Sequence, residues 1–138
     1  MKDESSDTSI YEIKKSELNT PIIFAGFVGA GLVGPLSVGH IIDKLEMEEI
    51  AYLRSKHLPP STVFMQGRLR HPFRLYSNHD GTVCVIICEI TLRLEGLHDI
   101  VSTILDWAEK KGSHEIVILD GVASTTHDKK AFCAAEED

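Results

Sequence analysis

The sequence predicts an α/β protein: a three-layer α/β/α sandwich around a mixed, mostly parallel central sheet, with one β-hairpin inserted. Three observations carry this. An apolar, strand-like run at residues 22–25 passes into a helix-like stretch through four glycines in the nine residues 26–34. An Asp80-Gly81 pair separates two strand-like segments, a strong short-range signal for a hairpin. Finally, an amphipathic stretch at 97–111 is followed at once by a strand-like segment at 115–119 whose residues 116–119 are continuously apolar, as expected of a strand covered on both faces.

Taken in order, residues 1–8 read as a disordered acidic lead, and residues 9–138 as a single α/β domain. Ile10, Tyr11, Glu12, Ile13 and Lys14 alternate weakly, as an edge strand would. Residues 21–27 form a strand. From Leu32 the apolar residues fall at 32, 33, 36, 38, 41, 42 and 45, a broad helical stripe, and Pro35 is tolerated in its first turn. Residues 49–54 give a second strand, ended by the break at Leu58-Pro59-Pro60. Residues 62–66 make a short strand or hairpin arm, and 73–76 and 82–89 pair across the Asp80-Gly81 bend. The helix at 97–111 places Ile100, Ile104, Trp107 and Ala108 on one face, with Gly112 as its stop. A buried strand at 115–119 follows, and residues 131–134 begin one more.

Composition excludes several functions. With 43% apolar and 25% charged residues the chain is an ordinary globular protein. Its net charge of −7 argues against nucleic acid as a partner, because phosphate contacts need a basic face. No apolar run approaches the ~18 residues that span a bilayer, and the acidic N-terminus has no apolar signal core, so a cytoplasmic location is expected. Cys84 and Cys88 lie in an apolar strand, as core thiols of a reducing compartment. The seven histidines show no HExxH or other ligand pair, so no metal is expected.

The charge is uneven. Residues 55–79 contain no Asp or Glu but hold Lys56, Arg68, Arg70 and Arg74, with Arg54 just before them. These five are candidate partner contacts, a basic patch within an acidic protein.

The glycine run contains Gly29-x-Gly31-x-x-Gly34, a dinucleotide-binding spacing. The acid that should hold the ribose at the end of the next strand is missing. Glu48 and Glu49 precede that strand, and Arg54 and Lys56 stand at its end. Ligands in open α/β sheets sit beyond the carboxyl ends of strands, which here gives Gly29, Gly31, Glu89 and Asp120 as ligand-pocket candidates. Two readings compete. In one, a small-molecule or nucleotide-binding enzyme of ligase or hydrolase type uses Glu89 and Asp120 as acid and base. In the other, the glycines are architectural and Asp120-Gly121 is a turn. No third group is spaced to orient the carboxylates, so no catalytic residue is assigned.

Residues 26–34 (Gly-Phe-Val-Gly-Ala-Gly-Leu-Val-Gly) are followed by Ile41-Ile42-Asp43-Lys44-Leu45, Leu58-Pro59-Pro60, Pro72-Phe73-Arg74-Leu75-Tyr76 and Cys88-Glu89. The helix end Ile104-Leu105-Asp106-Trp107-Ala108 and the stretch 115–123 complete the series. In this order the motifs resemble the proteasome assembly chaperone family in its archaeal form, from about residue 22 to residue 133. The resemblance implies an α/β/α sandwich that acts without cofactor or catalytic residues, as a homo-oligomeric chaperone binding proteasome α-subunits. It also implies that residues 9–138 are the front portion of a longer family domain.

Overall fold

Successive side chains on a strand point to opposite faces of a sheet, and the strand Ile22–Gly26 (β2) uses both. Ile23 and Ala25 enter one core, and Phe24 enters the other. The computed structural model describes residues 7–137. Around β2 it arranges β1 (Thr8–Glu12), α1 (Val33–Lys44), β3 (Glu48–Ser55), β4 (Val63–Met65), β5 (Arg68–Arg70), β6 (Phe73–Ser77), β7 (Val83–Cys88), α2 (Leu97–Lys110) and β8 (Glu115–Leu119). Six strands form one sheet in the order β1-β3-β6-β7-β2-β8, while β4 and β5 pair separately.

α2 covers one face. Ile100, Ile104, Trp107 and Ala108, spaced to share one side of a helix, pack with Ile23, Leu53, Leu75, Cys84 and Ile86. α1 covers the other, where Val38, Ile41 and Ile42 meet Phe24, Val85 and Ile87. The three-layer mixed α/β architecture is therefore as the sequence predicts. Asn78 builds the β6–β7 turn, its side-chain oxygen accepting from the amides of Thr82 and Val83 at 3.0 Å each. Gly81 there takes φ +69° and lies against the backbone of Glu17 and Leu18.

Five details differ from the sequence reading. The strand at 115–119, expected to be buried and covered on both faces, is β8 at the sheet edge, paired with β2 alone among the described residues and with Glu115 and Ile118 exposed. Parallel pairing is confined to β2 with β7 and β8, whereas β1–β3, β3–β6 and β6–β7 are antiparallel. The sheet is mixed but less parallel than the element order suggests: the crossovers through α1 and α2 both return strands in the direction of β2, but β6 runs the opposite way between β3 and β7, and β1 does so at the edge. The hairpin arm at 62–66 gains a partner, β5, whose Arg-Leu-Arg sequence has no apolar run to announce it. Thr8, assigned to the lead, is buried in β1, Asp7 beside it is described and exposed, and residues 1–6 of that lead lie outside the described residues. Residues 131–134 form no strand. They are exposed, and with three alanines among Ala131, Phe132, Cys133, Ala134 and Ala135 they have little to pack on a pleated surface.

Cys84 and Cys88 are buried, whereas Cys133 is exposed. Desolvation by burial pushes both core thiols up from 9.0 to about 11. A raised pKa means that the thiols' contribution to stability is complete below 9.0 and is lost as pH climbs towards about 11. We expect Ellman's reagent at about pH 8 to modify Cys133 promptly, and Cys84 and Cys88 only after denaturant is added. Prompt reaction of all three in the native protein would contradict this burial.

Candidate functional site

The crossover from β2 to α1 leaves almost no space. A Cβ on Gly26 would collide with the carbonyl oxygen of Gly34, and one on Gly34 would stand 2.7 Å from the carbonyl oxygens of both Phe27 and Leu119. A Cβ on Gly121 would strike the carbonyl oxygen of Ala30. The end of β2, the start of α1 and the exit from β8 are thus held backbone to backbone. Gly31 and Leu32 both have positive φ, +65° and +54°. The glycine adopts it freely, whereas the leucine bears about 1–2 kcal/mol of strain.

Gly29 and Asp120, which the sequence places at neighbouring strand ends, do come together. A Cβ on Gly29 would lie 2.5 Å from Asp120 Oδ1, and that oxygen accepts from the Gly121 amide at 2.8 Å. The aspartate therefore stands beside the approach to α1, where a dinucleotide would set its phosphates on the helix N-terminus. A second anion there would meet a like charge. Gly31 lies nearer Val33, whose methyl would be 3.7 Å from an added Cβ.

Glu89 belongs to a different cluster. β6 alternates, so Phe73 and Leu75 enter the α2-side core while Arg74 and Tyr76 face the α1 side. Arg74 is only 1% exposed. Its Nε donates to Tyr76 Oη at 2.9 Å, and its Nη1 donates to the His71 carbonyl at 2.7 Å and to Glu89 Oε2 at 2.8 Å. Nη2 donates to Met65 Sδ at 3.4 Å. Burial works against the charged guanidinium, but the hydrogen bonds to Glu89 and Tyr76 outweigh it, and its pKa is raised. Glu89 and Asp120 thus belong to separate clusters, one bonded to Arg74 and the other to the Gly121 amide.

The basic stretch is largely neutralised. Arg70 bonds Glu49 at 2.7 Å and Lys56 bonds Asp7 at 2.5 Å. Arg74, expected as a partner contact, is buried, because the alternation of β6 turns it inward onto Glu89. Arg54 lies over the Tyr11 ring, 5.8 Å from its centroid, and remains exposed, as does Arg68. Sequence reasoning missed Tyr76, His71 and Met65. Only the i, i+2 spacing of Arg74 and Tyr76 on a strand could have indicated a shared face.

A groove of about 400 Å³ runs between α1 and the β4–β5 hairpin. Leu36 and Gly39 of α1 form one wall, Met65 the other, and Arg74, Ile87 and Glu89 the floor. A larger depression of about 560 Å³ lies at the other end of β7, where Lys14, Glu17, Glu46 and Asp80 line a polar surface. Its Lys14–Glu48 pair is exposed to solvent, which leaves the groove as the better candidate.

The PAC2 family pattern matches residues 23–138. The chain belongs to the PAC2 family. Among solved structures, this PAC2 chain is similar to a protein of unknown function from Thermoplasma acidophilum (39% identity, 74% of this chain and 42% of that one, TM-score 0.70). It is also similar to Pyrococcus furiosus PbaA, an archaeal homologue of proteasome-assembly chaperone (23% identity, 88% and 50%, TM-score 0.76). A third match is P. furiosus PbaB, an archaeal proteasome activator (19% identity, 82% and 50%, TM-score 0.68). A curated relative, an uncharacterised protein of Methanocaldococcus jannaschii, is 25% identical over 127 residues, 92% of this chain and 52% of its own length. The chain spans about half the length of the relatives it matches.

Two glycines of α1 separate packing from open space. Gly34→Ala should lower unfolding stability by about 1–3 kcal/mol, because backbone carbonyls cannot yield to the new methyl. Gly39 has nothing within 4 Å of an added Cβ, so Gly39→Ala should raise stability by about 0.5–1 kcal/mol through helix propensity. Urea denaturation of both variants checks the pair, and a stabilising Gly34→Ala would contradict the interlocked crossover.

Proposed function

We propose that this chain is a non-catalytic, protein-binding domain that serves the proteasome in a chaperone-like role by contacting its α-subunits. Membership of the PAC2 family carries the reading, and the folds shared with PbaA and PbaB point the same way. The local chemistry supports it. Glu89 is committed to Arg74 and Asp120 to the Gly121 amide, and the glycine loop is filled by the chain's own backbone. A homo-oligomer working in the cytoplasm completes the proposal, which extends to the whole length of a family member rather than to this portion alone.

The surface that fits an acidic partner lies on the side of β3 and the β4–β5 hairpin. Arg54 and Arg68 are exposed there, and Phe64 and Leu69, cross-strand partners on the hairpin, are each 71% exposed. An apolar pair beside basic residues has the make-up of the centre and rim of a protein contact. The double variant Arg54→Glu/Arg68→Glu should reduce capture of purified proteasome α-subunits by roughly threefold to tenfold, and more strongly at low salt, as exposed charge contacts do. Equal capture by the variant would remove this surface from the interface, and no capture by the wild type would overturn the function.

A further inference from the structure

The β8 side of the sandwich has little cover. β8 is an edge strand, and no described strand pairs with its outer edge. Ile23 and Ala25 of β2 stand opposite Ile116 and Ile118 in the sheet, and both enter the α2-side core. Ile118 shares that face yet is 63% exposed, so the α2 layer stops short of β8. The position of the helix explains this. Thr8 of β1 bonds Asp99, which puts β1 on one flank of α2. Val101 and Leu105, on the flank away from Asp99, are exposed. In the other layer Gly121 lies against Val33 of α1, and Val33 and Val122 are exposed as well. Apolar side chains from all three layers thus flank one open strand edge, as in a core cut in half.

Lysine, proline or a bulge normally keeps an edge strand from pairing with other chains. β8 has none of these: it reads Glu-Ile-Val-Ile-Leu, and its pairing with β2 runs without a break in register. The opposite edge differs, since β1 ends in Glu12, ion-paired to Lys111 at 2.5 Å.

Residue chemistry selects the occupant. At a net charge of −7 two copies of the chain repel except where a surface carries little charge, and residues 116–119 carry none. The strand is also complementary to itself, because Ile-Val-Ile at 116–118 is symmetric about Val117. A two-fold axis through Val117, normal to the sheet, sets two such edges antiparallel and pairs the strand along its whole length. Ile116 then faces Ile118 of the other copy, Val117 faces itself, and Glu115 faces Leu119. No like charges oppose each other in this register. Shifting it by one residue towards the C-terminus would set Glu115 against Asp120.

We propose that β8 is the dimerisation edge of this chain, with two copies pairing antiparallel about Val117 to make one continuous sheet. The proposal gives the homo-oligomer its interface and rests on that part of the reading alone, so capture of α-subunits can fail without it.

A short strand pair with a few apolar side chains buries less than a standard interface, so sedimentation of the full chain should show a monomer–dimer equilibrium with a Kd on the order of 10–100 μM. Ile118→Lys alters an exposed side chain, puts an edge-blocking residue on the seam, and should weaken dimerisation by about tenfold or more. Arg54→Glu/Arg68→Glu should dimerise as the wild type does. In Cys133→Ser/Val117→Cys the two introduced thiols meet at the axis, so mild oxidation should give a covalent dimer. In Cys133→Ser/Ile118→Cys they stand apart and should not crosslink. A chain that stays monomeric at about 1 mM, equal association of Ile118→Lys and the wild type, or crosslinking that does not favour position 117 over 118 would overturn the proposal.

Discussion

Where Gly26 meets Gly34, a helix presses on a strand with no side chain between them. That contact places the first turn of α1 over the ends of β2 and β8, and the collision an added Cβ would suffer shows how little latitude it leaves. With α1 held there, its apolar face covers Phe24, Val85 and Ile87 but does not reach across β6 and β3. The α1 side of those two strands needs another cover. The β4–β5 hairpin supplies it, through Met65 on Arg74 and Arg70 on Glu49. The groove is the gap between a helix that cannot shift and a hairpin tethered by a few polar contacts. Its existence follows from two absent side chains.

This division of the sheet explains the fate of the charges. The span without acids looked like a uniform basic surface because the sequence shows residue signs but not which face each occupies. Within β6 the period of two sends Arg74 to the half-covered α1 side, and the end of β7 puts Glu89 within reach. Arg70 finds Glu49 because β5 folds back over β3. Acids distant in sequence neutralise bases in the span, and the exposed remainder is small. Formal charge along a chain therefore overstates the field at its surface whenever strands exchange partners over long separations.

What was legible in the sequence follows the same logic. The helix of α2 was readable because four buried positions recur at helical spacing, and the β6–β7 hairpin because Asp80-Gly81 and Asn78 encode a turn locally. The glycine crossover was readable as a tight approach, although a GxGxxG spacing alone could not separate packing from phosphate binding. The structure adds position: Asp120, 91 residues further along the chain, arrives from the end of β8 and sets a carboxylate beside Gly29. Neither β5 nor the Arg74 cluster was readable. The first is too short and charged to show periodicity, and the second joins side chains from a loop, two strands and a hairpin.

The Arg74–Glu89 pair is the least expected feature of the floor on stability grounds. Bringing an arginine to near-complete burial exacts a desolvation penalty, and buried ion pairs are often matched or exceeded in stability by hydrophobic residues of similar volume. The same strand face is otherwise suited to such a replacement, since Tyr76 and Ile87 already line it. Hydrogen bonds donated to Tyr76 Oη, the His71 carbonyl and Glu89 satisfy most of the guanidinium, so the cluster is rigid without being a source of surplus stability. With its last nitrogen on Met65 Sδ, the guanidinium ties the β4–β5 hairpin, β6 and the residue after β7 to one another. The pair makes more sense as the fixed point that sets where the hairpin lies on the sheet than as a source of core stability.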